Sequence, residues 1–308
     1  MLGGKRALIR ALVFLCCALA GQSGQTQTPA RGAADLLEEH VRIPVPGQAY
    51  TVAATILRPV GPGPYGVVVL NHGVPGSAEA RARVTSLDFR DSAPVFARHG
   101  YAVIMPLRRG FGETGGEFAE DAGPCSNPDF VKGEEAAAND VMAAYEYARA
   151  LSYVDPDRMI LAGQSAGGIA ALYAAAKRSP KGLQAILNFS GGRGGIPHIS
   201  PGRPCAAEPL GHLFEDIGKS VKAPVLFHYA ENDRYFGPRV ALEWFGRFWA
   251  AGAKGRLIEQ PAFGSDGHFI FIEPGGVKQW LPVVKEFLST NGVPFEPVKP
   301  VQTVVAGS

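Results

Sequence analysis

Along this chain, short apolar runs alternate with stretches in which apolar residues recur every three or four positions. Residues 41–45 and 50–57 alternate and are β-branched, which predicts two antiparallel edge strands. Residues 65–70, 101–106 and 158–162 are almost continuously apolar, the pattern of strands covered on both faces. Runs at 183–189, 224–229 and near 256–259 bring the expected strands to eight. Between them, helices are predicted at about 80–99, 133–151, 169–177, 213–221, 240–251 and 277–291. In the second of these, Val141, Ala144 and Tyr145 share one face, and the Ala, Glu and Met content favours helix. Strands alternating with helices imply an α/β fold, a mostly parallel eight-stranded sheet with helices on both faces, because right-handed crossovers lay helices over it. The Gly/Pro-rich excursion at 191–209 is too short to form a large cap domain.

Composition narrows the classes. With 308 residues, 46% of them apolar and 19% charged, the chain is long enough for one large core, and no linker divides its middle. A net charge of +2 with no Lys/Arg block argues against nucleic acid as a partner. At the amino terminus Lys5, Arg6 and Arg10 precede an apolar run that ends in Ala18-Leu19-Ala20, the pattern of a signal peptide cut after Ala20. About ten apolar residues span roughly half of a 30 Å hydrocarbon core, so no stable membrane association is expected after cleavage. The expected organisation is therefore a signal peptide at 1–20, a flexible leader at 21–38, a catalytic domain at 39–291 and a flexible tail at 292–308, secreted or periplasmic. Cys16 and Cys17 would leave with the signal. Cys125 and Cys205 remain, an even pair in an oxidising compartment, and a disulfide between them is expected. In the chain-entropy picture, closing a loop of that length stabilises by roughly 4–5 kcal/mol at most.

The chemistry centres on Gly163-Gln164-Ser165-Ala166-Gly167, between a short buried strand and an Ala-rich helix. A turn this tight makes the serine hydroxyl project, and glycines two positions either side keep side chains from colliding. The serine needs a base, and the base needs an orienting acid. In a parallel sheet both belong in loops after strand ends. His268, after the last strand, is the best placed base, with His198 and His212 as runners-up. His99, His228 and His40 are badly placed, and His72 is read as a structural hydrogen-bonding residue. Strand 224–229 runs into Glu231-Asn232-Asp233, so Asp233 is the expected acid and Glu231 the reserve; Asp266 is expected to shape its own Gly-rich loop. Backbone N–H groups of Ala166 and of Val74, in His72-Gly73-Val74-Pro75-Gly76, are the expected oxyanion donors. Arg109 and Phe111, in the loop after the next strand, and Gln164 are candidate substrate-binding residues. Arg193, Arg203 and the disulfide are expected to line an open pocket.

Taken in order, His72-Gly-Val-Pro-Gly76, Arg109-Gly-Phe-Gly112, Gly163-Gln-Ser-Ala-Gly167, Asp233 and His268 resemble the α/β-hydrolase superfamily over about residues 41–291. Within it, the pattern is similar to dienelactone-hydrolase-like esterases and to the catalytic domains of prolyl-oligopeptidase-type peptidases. Dienelactone hydrolases use a cysteine where this chain has Ser165, and the peptidases carry a large extra domain for which no segment here is long enough. The expected activity is hydrolysis of a small-molecule carboxylic ester through an acyl-enzyme. A peptidase and a catalytically silent binding protein on the same scaffold are the alternatives. No metal or cofactor is implied, because Cys-x-x-Cys spacings and nucleotide-binding glycine patterns are absent from the sequence.

Overall fold

The structure, a computed structural model, describes residues 30–31 and 35–298. The expected signal peptide, most of the leader and the end of the tail lie outside the described residues. The chain runs β1 (Ala30–Arg31), β2 (Leu36–Pro44), β3 (Thr51–Pro59), β4 (Tyr65–Asn71), α1 (Ala78–Arg81), α2 (Ala93–Arg98), β5 (Tyr101–Leu107), α3 (Phe130–Arg149), β6 (Val154–Gln164) and α4 (Ala166–Arg178). It continues with β7 (Leu183–Phe189), α5 (Ala207–Ser220), β8 (Val225–Ala230), α6 (Pro238–Ala250), β9 (Gly255–Gln260) and α7 (Val277–Thr290).

Among the described residues one sheet holds every strand, in the order β1-β2-β3-β5-β4-β6-β7-β8-β9. The eight expected strands are β2 to β9; β1 adds a two-residue antiparallel pairing outside β2. β2, β3 and β5 pair antiparallel, and from β5 across to β9 every pairing is parallel. Residue alternation explains the two layers of helix. Val67 and Val69 of β4 pack into a core with α3 and α4, including Val141, Ala144 and Ile169. Their neighbours Val68 and Leu70 point the other way, into a core with Phe96 of α2 and Trp280 and Phe287 of α7. Burying each such aromatic side chain stabilises by roughly 1.5–3 kcal/mol. Every residue of β4, β5 and β8 is buried, which is why those segments read as unbroken apolar runs.

Three expectations change. The single helix expected at 80–99 is instead α1, a 3-10 turn at Ser86–Phe89 and α2. Ser77 Oγ caps the start of α1 by accepting the Ala80 N–H at 3.1 Å, and the break comes after it: Thr85, extended at φ −141°, opens the 3-10 turn with its Oγ1 accepting the Leu87 N–H at 3.3 Å, and Pro94 lies in the first turn of α2. The folded domain also starts before residue 39, because Leu36 in β2 is buried. Finally, the start of the expected flexible tail is packed. Val293 and Phe295 are buried, Tyr101 Oη donates to the Pro294 carbonyl at 2.5 Å, and the Phe295 ring stacks on His99 at 4.3 Å between centroids. Alternating apolar residues there join the core that holds Phe96 of α2.

No helix among the described residues is long and apolar enough to cross a membrane. Among the same residues, no group of three or more His, Cys, Asp or Glu side chains is arranged to hold a metal ion.

Candidate active site

Ser165 lies at the junction of β6 and α4 with φ 56° and ψ −126°, a backbone region costly for a residue with a side chain. Its neighbours show why the sequence there is glycine-rich. A Cβ on Gly163 would sit 2.2 Å from the Gly167 carbonyl oxygen, and one on Gly167 would sit 2.1 Å from that of Asn71. The start of α4 therefore presses against the end of β4 more closely than any side chain permits. The turn is pinned from the next strand, since the Ser165 N–H donates to the Phe189 carbonyl at 2.9 Å.

His268 sits in a 3-10 turn at Gly267–Phe269, beyond β9. It is 2% exposed, and its Nδ1 lies 3.1 and 3.0 Å from the two oxygens of Asp233. A carboxylate there makes Nδ1 the protonated nitrogen and leaves Nε2 free to take a proton. Asp233 follows β8 and is also buried; its Oδ1 accepts the Tyr235 and Phe236 N–H groups, both at 2.8 Å. Tyr235 stacks on the His268 ring at 4.0 Å and 20°, and Phe236 and Phe269 meet it edge-on. The ring is thus held by a carboxylate on one edge and aromatic surfaces around it. Glu231 is directed elsewhere, its Oε1 accepting the Ala262 N–H at 3.0 Å. Asp266 Oδ1 accepts from the N–H groups of His268 and Arg234, tying the two loops together.

Ser165 and His268 line one cavity of about 300 Å³, with Gly73, Val74, Val84, Gln164 and Ile272. Among the described residues no hydrogen bond joins Ser165 to His268; such contacts are often long in the absence of substrate. A second cavity, about 220 Å³, opens on the other side of Ser165 and is lined by Ala166, Phe118, Phe130, Phe236 and the Cys125–Cys205 disulfide. Ala166 opens α4, so its N–H has no carbonyl one turn back to meet. Val74 N–H finds no backbone acceptor among the described residues either, and Pro75 has no N–H. The Val74 loop is held against the serine: a Cβ on Gly73 would lie 3.2 Å from Ser165 Cβ.

The other residues that the sequence singled out divide: Phe111, Arg109 and Arg203 lie away from the cavities at Ser165, whereas Gln164, Arg193 and His72 are placed as expected. Phe111 is fully buried, its ring centroid 4.4 Å from that of His72, and it lines neither cavity beside Ser165. Arg109 faces Tyr50 at 5.1 Å and Glu117 at 3.8 Å, also away from both cavities. Gln164 lines the His268 cavity and its Nε2 donates to the His268 carbonyl at 3.0 Å, so it holds the histidine loop. Arg193 lines the second cavity, whereas Arg203 is exposed outside it. His72 has both ring nitrogens engaged: Nδ1 with the Gly73 carbonyl at 2.7 Å, and Nε2 accepting the Arg108 N–H at 3.1 Å. Burial, reinforced by the Arg108 charge, lowers its pKa to about 3, so it stays neutral.

Beneath the second cavity lies a buried, charge-balanced set of four side chains. Arg108 Nε donates to Glu120 at 2.5 Å, Arg193 Nη2 donates to Glu120 at 2.7 Å, and Arg193 Nε is bonded to Glu134. Burial pushes the Glu120 carboxyl up, but the Arg108 and Arg193 guanidinium groups together overcome this and hold it down to about 2. Glu134, with one arginine neighbour, is raised by burial. Glu120, Glu134 and Tyr235 carried no motif in the sequence; only their place in loops or helices facing strand ends marks them.

The strand order, the parallel crossovers and the strand–turn–helix around Ser165 together define the α/β-hydrolase fold. Residues 87–181 match the prolyl oligopeptidase family. Among solved structures, the chain is similar to an esterase of Pyrococcus furiosus, with a TM-score of 0.59 and 14% identity over 88% of this chain and 98% of that one. It is likewise similar to an acetyl xylan esterase from Paenibacillus sp. R4, with a TM-score of 0.57 and 15% identity over 87% of this chain and 89% of that one. A dienelactone hydrolase-like promiscuous phosphotriesterase from metagenomic libraries gives 0.55 and 14%, over 85% of this chain and 99% of that one. At these identities the likeness is one of fold. No curated protein matches the sequence significantly.

Proposed function

We propose that this chain is an exported serine hydrolase of carboxylic esters. The observation that carries the reading is a buried Asp233–His268 pair opening on the same cavity as a serine held at positive φ, at the start of a helix. Ser165 is the nucleophile, His268 the base and Asp233 the acid that orients it. His268 Nε2 takes the Ser165 proton as Oγ bonds to the ester carbonyl carbon, and the Val74 and Ala166 N–H groups receive the developing oxyanion. Each such preset donor is worth about 3–4 kcal/mol in the transition state. The ester C–O bond then breaks and the alcohol leaves with the proton from His268. Water, deprotonated by the same nitrogen, attacks the acyl-enzyme and releases acid and free serine. No residue in this scheme needs a cofactor. The partner is a small-molecule ester, and export fits the signal-like amino terminus and the Cys125–Cys205 disulfide.

Fluorophosphonate labelling tests the reading: wild type should acquire one adduct, on Ser165, and Ser165→Ala should acquire none and lose nearly all ester turnover. An unlabelled wild type, beside a control esterase that reacts, would leave a silent binding protein. The match of residues 87–181 to the prolyl oligopeptidase family favours a second reading, a peptidase. Comparable turnover of an aminoacyl amide and a p-nitrophenyl ester would support it.

A further inference from the structure

Two cavities meet at Ser165, and they differ in what else they touch. The larger includes His268 and excludes Ala166; the smaller includes Ala166 and excludes His268; Ser165, Val74 and Tyr235 belong to both. At the tetrahedral stage, the reacting carbon carries Ser165 Oγ, an oxyanion, the leaving oxygen and the acyl carbon. The oxyanion must face the Val74 and Ala166 N–H groups, and the leaving oxygen must face His268 Nε2 to receive its proton. The acyl carbon lies on the opposite side of the reacting carbon from the leaving oxygen, and of the two cavities at Ser165 the one that His268 does not line is the one beside Ala166.

We propose that the acyl group of the substrate occupies the cavity walled by the Cys125–Cys205 disulfide, that this cavity takes a compact acyl group without a carboxylate, and that the alcohol occupies the His268 cavity. The inference rests on the serine-esterase reading above. Size and charge set the acyl preference. At about 220 Å³, this cavity lies below the usual 300–1,000 Å³ of small-molecule sites, so it holds a fragment of a substrate only. Its walls include Phe118, Phe130 and Phe236. Arg193, the cation on its lining, is fully engaged by Glu120 and Glu134, and Arg108 balances the second carboxylate, so no free positive charge is offered to an acidic acyl group.

The disulfide gives this wall its shape. It joins the loop before α3 to the loop before α5, 80 residues apart in sequence, with 5.6 Å between Cα atoms. A Cβ on Gly194 would lie 2.6 Å from the Cys205 carbonyl oxygen, and the Cys205 N–H donates to the Gly194 carbonyl at 2.7 Å, so the Arg193–Gly195 segment leans directly on the bridge. Cys125 is exposed, within reach of a reductant. Opening the bridge should therefore relax the acyl wall and leave the alcohol cavity, which the cysteines do not touch, as it was.

Two ester series separate the cavities: p-nitrophenyl acetate, butyrate and benzoate vary the acyl group, and methyl, butyl and benzyl butyrate vary the alcohol. First, turnover must be abolished by Ser165→Ala; Ser165-independent turnover overturns the esterase reading itself. Given Ser165-dependent turnover, Ala122→Phe, at a residue that lines the disulfide-side cavity and does not line the other, is expected to lower kcat/KM for butyrate and benzoate at least tenfold relative to acetate, with ratios across the alcohol series unchanged. Ile272→Phe, in the other cavity, is expected to do the reverse. Wild type treated with a mild thiol, which needs no variant to fold, is expected to change its acyl ratios about fivefold or more at constant alcohol ratios. A change in alcohol ratios from Ala122→Phe or from reduction, or no change in either series, overturns the assignment of the cavities.

Discussion

Asp233 reaches His268 Nδ1 with both carboxylate oxygens, at 3.0 and 3.1 Å, while Glu231 two residues earlier spends its carboxylate on a backbone N–H. The two acids therefore make opposite predictions. In Asp233→Asn the amide can present an N–H to Nδ1 and favour the wrong tautomer, so kcat should fall by about 10³–10⁴. Glu231→Gln should stay within about threefold of wild type. Steady-state kinetics on one ester decide it, and the opposite ranking would move the acid to Glu231.

The φ of 56° at Ser165 carries an energetic cost independent of chemistry. Ser165→Ala keeps a Cβ in that region and Ser165→Gly removes it. Both should be inactive, but the glycine variant should be more stable than the alanine variant by about 1–3 kcal/mol. Urea unfolding of the two variants measures this. Equal midpoints would show that the turn is not strained.

Glu120 neutralises two buried arginines at once. Glu120→Gln leaves Arg193 with Glu134 alone and the buried Arg108 with no carboxylate partner, and should cost about 3–5 kcal/mol of unfolding free energy. Glu117→Gln, at an exposed pair with Arg109 separated by 3.8 Å, should change stability by less than about 1 kcal/mol. Similar losses from both variants would mean that the buried set is not what stabilises this wall.

Acid should destabilise the fold well before the carboxylates titrate. Burial, with the Arg108 charge, lowers His72 to about 3, and burial lowers His228 to about 4. In the unfolded chain each titrates near 6.5, so between that pH and these values the unfolded state binds more protons. Stability is then full above about pH 7 and falls on acidification by up to about 1.4 kcal/mol per pH unit for each histidine. Glu120, held down to about 2, adds a loss of the same sign below its ordinary value of 4.5. Urea midpoints at pH 7.5, 6 and 5 check this. His228→Leu should make the profile shallower, and an unchanged slope in that variant would contradict it.

Much of this was legible in the sequence for an identifiable reason. Strands covered on both faces must be short apolar runs, and groups at the carboxyl edge of a parallel sheet must lie just after such runs, which marks Ser165, Asp233 and His268. What remained hidden depends on partners without local pattern. Arg193 could be placed on a pocket but not in an ion pair, because Glu134 and Glu120, which bury with it, stand 59 and 73 residues away in sequence. Phe111 looked like a pocket wall because a loop aromatic gives no sign that it will turn inward against His72. The break in the helix expected at 80–99 turned on Thr85, whose hydroxyl takes the Leu87 N–H from an extended backbone, a local preference that periodicity does not register.

The packed segment after α7 bears on how the protein should be trimmed. A boundary drawn after Asn291 would cut away Val293 and Phe295 and bare the faces of Phe96, His99 and Tyr101 to water. Shortened in this way, the protein would present a sticky aromatic patch on the α2 side and tend to self-associate, whereas an end placed beyond Val298, whose N–H donates to the Arg98 carbonyl at 2.9 Å, keeps that seam closed.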